Sequence, residues 1–181
     1  NNLLNEYDKN EYIQITDELI SDDKLLSEVN KEWRDANEQP KLVFDRHSWG
    51  SVIYYLIRKF KPEVIVETGV FYGNSSFHIL KALQENNKGI LYSIDLKKKK
   101  KKGGYYDENP YKNEKERTAS LPEGKEAGFL VPEYLKDNWN LILGDSKKEL
   151  PELFQKLVSI DMFLHDSLHS YDNMVFEFDL A

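Results

Sequence analysis

Cysteine is absent from the 181 residues, so neither a disulfide framework nor a thiolate zinc site can be built, which fits an intracellular protein. Long apolar runs are absent too. None approaches the roughly 20 residues that a bilayer-spanning helix needs, and the opening "NNLLNEYDKNEYIQ" is too polar and acidic for a signal peptide. The expected location is cytoplasmic. Basic residues are outnumbered, 25 Lys and Arg against 32 Asp and Glu, for a net charge of -7. A nucleic-acid surface needs clustered cations that release counterions from phosphates, and the one dense cluster, Lys97 to Lys102, is local. The expected partner is therefore a small molecule, with no nucleic acid and no membrane. No internal repeat at solenoid periods is present. The chain starts on Asn rather than Met, so its true start is expected to be missing.

What is present is enough for one core: 40% of the residues are hydrophobic and 13% aromatic, in a length typical of a single domain. Leu25, Leu26, Val29 and Trp33 lie on one helical stripe. After Pro40, a second stripe runs through Trp49, Val52, Ile53, Leu56, Ile57 and Phe60. That helix should stop near Lys61, because Pro62 disfavours helical geometry in the residue before it. Residues 1–47 read as an N-terminal helical segment.

Strand and helix then alternate. "EVIVET" is a β-branched run of the kind buried on both faces of a sheet, followed by Gly69 and Gly73. Asn74 or Ser75 can cap the next helix, and "GILYSID" forms a second strand. Residues 97–128 lose all periodicity and read as a long flexible loop, a lid, a binding loop or an insertion. Tyr105, Tyr106 and Tyr111 in it could line an acceptor pocket, or simply sit in a solvated loop with the lysines. "NWNLILGD" is a third strand; Ser146 and Glu149 have capping-box spacing, and Pro151 requires a place near the first turn of that helix. "SIDMFLHD" is a fourth strand, and Ser170 can cap a helix through Tyr171, Met174 and Phe178. Such alternation predicts right-handed crossovers and a parallel sheet.

In a parallel sheet, ligands sit beyond the carboxyl ends of the strands, where the strand order reverses. Each expected strand ends in an acid there: Glu67, Asp95, Asp145 and Asp166. An acid ending the second strand can accept from both hydroxyls of a ribose, Asp145 from an exocyclic amine such as that of adenine, and Glu67 suits an ammonium. Gly69 and Gly73 let a ligand approach the backbone and the free N–H groups of the following helix. Ribose, adenine, ammonium and carboxylate describe an amino-acid nucleoside better than a dinucleotide, whose G-x-G-x-x-G turn lacks its middle glycine here, Phe71 standing in its place.

The stretches "VIVETGVFYGNSS", "LYSIDL", "NLILGDSKKELPEL" and "IDMFLHDSLHSYDNM" occur in that order. Over residues 48–181 the chain resembles the class I S-adenosylmethionine-dependent methyltransferases, in particular the branch with O-methyltransferases of the macrocin and catechol type. The resemblance implies an α/β, Rossmann-like parallel sheet with helices on both faces, truncated after the fourth strand and preceded by N-terminal helices. It implies O-methylation of a small hydroxylated molecule. Glu67, Gly69, Gly73, Ser75 and Ser76 would surround the methionine end of the cofactor, Asp95 would hold the ribose, and Asp145 with Ser146 would frame the adenine. Asp166 would bind the methionine end or a divalent metal, and His169 stands where relatives place a general base. Catalysis would thus rest on His169 and Asp166. Metal dependence is left open, because the ligands after the fifth strand are absent. The fourth strand would leave an open apolar edge, so either the chain is a fragment or something else covers that edge, as a homodimer could.

Plainer readings stand beside these. A strand-end acid such as Asp145 is often only a helix cap, and His169 can be a surface imidazole; His165 is expected to be packed rather than chemical. Two other functions remain open: a non-catalytic or truncated nucleoside-binding domain, and a nicotinamide-dependent oxidoreductase, which the missing middle glycine disfavours.

Overall fold

Strand β1 (Val64–Thr68) runs through the middle of a four-stranded sheet, between β2 (Ile90–Asp95) and β6 (Met162–His165). A computed structural model describes residues 8–37, 44–96, 99–101, 104–106 and 121–181. With β5 (Trp139–Leu143) outside β2, the order is β5-β2-β1-β6 and every pair is parallel. The chain moves outward from β1 to β2 and β5, then returns to the other side of β1, so the order reverses between β1 and β6. Their carboxyl ends form the crevice that such sheets use for ligands.

Successive strand residues face opposite sides, and the two sides have separate cores. Ile65 and Leu91 pack with Leu19, Leu25, Val29, Ile53, Ile57, Phe77 and Leu80. Those residues come from α1 (Lys9–Ile20), α2 (Asp23–Asn37), α3 (Trp49–Phe60) and α4 (Asn74–Asn86). Val66 and Ile94 instead meet Leu150 and Leu153 of α5 (Ser146–Lys156), with Leu180 of α6 (Tyr171–Leu180) packed against them. Layers of helix, sheet and helix result, as expected for a Rossmann-like domain. The four strands coincide with the four runs that the sequence marks out, and α3 ends at Lys61, before Pro62, as expected; Lys61 itself takes a left-handed conformation (φ 51°), not the extended one that a following proline favours.

Other local expectations need correction. The N-cap of α4 is Gly73, not Asn74 or Ser75, because the Ser75 hydroxyl is bound to Glu67. Helix α5 is capped by Asp145, whose carboxylate accepts from the Lys147 amide, so Ser146 is already the first helical residue and the capping box is displaced. Pro151 lies inside that helix. The stripe on α3 is buried at Ile53 and Ile57, but Trp49 and Phe60 at its two ends are exposed. Helix α1 has no counterpart among the stripes expected from the sequence. In α6, Tyr171 and Phe178 are 80% and 54% exposed while the polar Asn173 and Glu177 are buried.

The expected loop at 97–128 is not uniformly irregular. It holds an antiparallel pair, β3 (Lys99–Lys101) with β4 (Gly104–Tyr106), and its end folds back onto the domain. Leu121 is buried, Gly128 sits under the Trp139 ring, and the Gly128 amide donates to the Phe71 carbonyl at 2.8 Å. Tyr111 lies in 107–120, which with 97–98 and 102–103 falls outside the described segments.

Candidate functional site

Beyond β1 the chain makes a turn, 69–73, whose backbone departs from ordinary geometry at three positions. Gly69 (φ 85°), Phe71 (φ 50°) and Gly73 (φ 91°) all have positive φ. Gly69 is required for a second reason: a Cβ there would overlap the Asp166 carbonyl oxygen, so the ends of β1 and β6 close on one another only over a bare backbone. The Phe71 amide donates to Asp95 Oδ2 at 2.7 Å and the Leu96 amide to Oδ1 at 2.7 Å. Asp95 thus ties the turn to the end of β2 and keeps a lone pair on each oxygen, half-buried at the sheet edge.

No side chain caps α4, since its N-cap is Gly73. The N–H groups of its first turn point at the crevice with the positive end of the helix dipole behind them. A group with excess electron density is the natural occupant of that position.

Glu67 lies beneath this turn with no exposed surface. Ser76 of α4 and Ser93 of β2 donate to one of its oxygens at 2.7 and 2.8 Å, and Ser75 donates to the other. Ser93 in turn receives the Trp139 indole N–H at 2.9 Å. Burial raises the carboxyl's pKa, and the three hydroxyls and the distant Asp166 charge only modify that outcome. The four strand-end acids therefore have four different surroundings. Glu67 is interior, Asp95 binds the turn, Asp145 is exposed and caps α5, and Asp166 faces solvent.

Asp166 and His169 do come together: His169 Nε2 stands 3.4 Å from Asp166 Oδ1, with side chains 64% and 62% exposed. The Asp166 amide donates to the Thr68 carbonyl at 2.8 Å, which fixes the pair beside β1 at the reversal of strand order. Among the described residues no group of three or more His, Cys, Asp or Glu could hold a metal ion.

One element of this edge is not evident from the sequence. Glu177 of α6 is fully buried and receives Thr68 Oγ1 and His165 Nδ1 on one oxygen, each at 2.6 Å. Its other oxygen receives Ser167 Oγ at 2.8 Å and Asn173 Nδ2 at 2.9 Å. Burial works against its ionisation, but hydrogen bonds from Ser146, Thr68, His165 and Ser167 outweigh it and hold the carboxyl below its ordinary value. His165, expected to be packed, is packed, but against this carboxylate. The four-residue spacing of Asn173 and Glu177 is the only trace in the sequence, and the apolar residues around them draw attention to the opposite face.

Solved structures with this fold include the O-methyltransferase TomG from Streptomyces achromogenes in complex with SAM. It is 18% identical with a TM-score of 0.57, and the match covers 93% of this chain and 66% of that one. An O-methyltransferase from Bacillus cereus in complex with SAH is 17% identical with a TM-score of 0.56, covering 93% and 64%. The chain thus spans a little under two thirds of the length of these structures. Among curated proteins, none matches it. A family model described as "Methyltransferase domain" matches residues 66–181, from the middle of β1 through α6, and the chain belongs to that family.

Proposed function

We propose that this chain is the cofactor-binding part of an S-adenosylmethionine-dependent methyltransferase that transfers a methyl group to an oxygen of a small hydroxylated molecule. The observation that carries the reading is the turn 69–73, with the uncapped N-terminus of α4 on one side and the Asp95 carboxylate on the other. The residues suit the cofactor. The first-turn amides of α4 would receive the methionine carboxylate, and the remaining lone pairs of Asp95 would accept from the ribose hydroxyls. Asp145 and Ser146, at the end of β5, would stand beside the adenine. Glu67 supports the turn from below, through Ser75 and Ser76, more than it offers itself to a ligand.

When bound, the cofactor supplies an electrophilic methyl group on sulfonium. The chain's contribution is alignment and a proton acceptor. His169, oriented by Asp166, would take the proton of the acceptor hydroxyl, a role suited to an imidazole at neutral pH. The acidic surface favours a small-molecule acceptor over nucleic acid, a cytoplasmic location is part of the same reading, and a second copy could cover the outer edge of β6. A divalent ion would have Asp166 as its first ligand.

Calorimetric titration of the chain with S-adenosylhomocysteine, with NAD as control, tests the reading. Saturable binding of the first alone is expected, with Asp95→Ala abolishing it and His169→Ala leaving it unchanged. Binding of NAD, or equal affinity of Asp95→Ala and the parent, would overturn it.

A further inference from the structure

The buried Glu177 carboxylate has no place in the proposed chemistry, yet it is the most heavily hydrogen-bonded side chain at the crevice. Besides Ser146 at the start of α5, its donors are Thr68 from the last position of β1, His165 from the last of β6, Ser167 from the turn that follows, and Asn173 from the first turns of α6. Ser167 is doubly held, since Asn173 Nδ2 also reaches its hydroxyl at 3.1 Å. Asp166 and His169 flank Ser167 in the chain and have no buried side-chain anchor of their own, being more than half exposed. The His165 ring, locked through Nδ1, lies 5.4 Å from the His169 ring, centroid to centroid.

We propose that Glu177 is a positioning residue. Its carboxylate fastens the turn after β6 to the end of β1, and so determines where the Asp166 carboxylate and the His169 imidazole stand. The proposal rests on the reading of Asp166 and His169 as the working pair. A carboxylate is specifically required, because each oxygen accepts from at least two donors. A glutamine of the same shape would turn an NH2 group toward two of those donors, leaving buried polar groups opposed and unsatisfied. Aspartate keeps the charge and both acceptors but withdraws them by one methylene.

The test compares the parent chain with Glu177→Gln, Glu177→Asp and Leu153→Ala by NMR, following the His165 and His169 ring signals and the backbone amides of residues 166–170. Leu153 lies in the core under α5 and serves as a control for loss of stability alone. Glu177→Gln is expected to remain folded, to lose the slowly exchanging His165 Nδ1 proton, and to shift or broaden the His169 ring and the 166–170 amides. Glu177→Asp should recover part of the parent pattern, and Leu153→Ala should keep it. Affinity for S-adenosylhomocysteine, measured in parallel, should change by less than about threefold in Glu177→Gln. Unchanged His169 and turn signals in Glu177→Gln would overturn the proposal, as would the same disturbance in Leu153→Ala. Should Glu177→Gln not fold, the Asp variant decides: parent-like signals for the turn in a shortened acid would also overturn it. Failure of the parent to bind S-adenosylhomocysteine would sink the functional reading while leaving the NMR comparison to judge the placement of the turn.

Discussion

Thr68 follows Glu67 by one residue and therefore faces the other side of the sheet. Each meets a different buried arrangement: Glu67 the serines of α4 and β2, Thr68 the carboxylate of Glu177. Burial moves the first acid up and hydrogen bonding moves the second down, so their contributions to stability change with pH in opposite senses. His78 gives a cleaner measurement. It is buried between the Phe44 and Phe77 rings and Gly50, its Nδ1 hydrogen-bonded to the Asn74 carbonyl at 2.6 Å, and burial lowers its pKa from 6.5 to about 4. Between those values the unfolded chain binds the proton and the folded chain does not. The stability is therefore fully present above the unfolded value and is lost as pH falls from 6.5 toward about 4. From pH 7 to pH 5 the loss should be about 2 kcal/mol. Urea denaturation of the parent and of His78→Gln at both pH values would read it. Because Glu67 titrates with the opposite sign, the quantity to compare is the difference between the two proteins. Equal pH dependence in both would mean that His78 is protonated inside the fold.

At the level of elements, the closure of β1 on β6 depends on the missing side chain of Gly69 as well as on hydrogen bonds. Alanine there would add left-handed strain of about 1–2 kcal/mol and a Cβ overlapping the Asp166 carbonyl. Gly124 has a similar φ of 76°, with nothing within 4 Å of the point where a methyl carbon would sit, so alanine there incurs the strain alone. Thermal melts should therefore place Gly69→Ala well below Gly124→Ala, by several degrees at ~2–4 °C per kcal/mol for a domain of this size. Equal losses would show that the ends of β1 and β6 can separate without cost. The strands are legible in the sequence because short apolar runs that end in an acid, between helical patterns, have few alternatives. The helix starts are legible only to within a residue or two, since they depend on where a hydroxyl spends its hydrogen bond. Ser75 turns to Glu67 instead of capping α4, and Asp145 takes the cap expected of Ser146. Helix α6 is legible but its buried face is not. Its burial follows from the partners of Glu177 on β1 and β6, which no local pattern can contain. For the same reason the Asp166 and His169 pair, three residues apart, can be read, while its long-range anchor cannot.

For the whole molecule, the question is whether residues 1–47 form a separate segment, as the sequence suggests, or part of the domain. Among the described residues, Leu19, Leu25 and Val29 are fully buried in the same cluster as Ile65, Phe77, Leu80 and Leu91, which favours the second. Burying three such side chains is worth about 4.5–9 kcal/mol at ~1.5–3 each, as an upper bound. That is comparable to the ~5–15 kcal/mol by which entire domains are stable. Of the ion pairs that join the same parts, Arg58 with Glu18 and Lys125 with Glu32 are partly exposed and contribute about 0–1 kcal/mol each, while in the largely buried Lys81 with Asp22 the desolvation of both charges offsets much of their attraction. Apolar burial therefore dominates the attachment, and two outcomes follow that charge pairing would not give. Raising salt to about 1 M, where the Debye length falls to roughly 3 Å, should leave the melting temperature of the full chain nearly unchanged. A chain starting at residue 44 should lose its cooperative transition and bind a hydrophobic dye, because α3 and α4 would expose the face that α1 and α2 now cover. A shortened chain that still melted cooperatively near the parent temperature would make those helices an appendage and leave the sheet with α3 to α6 as the folding unit.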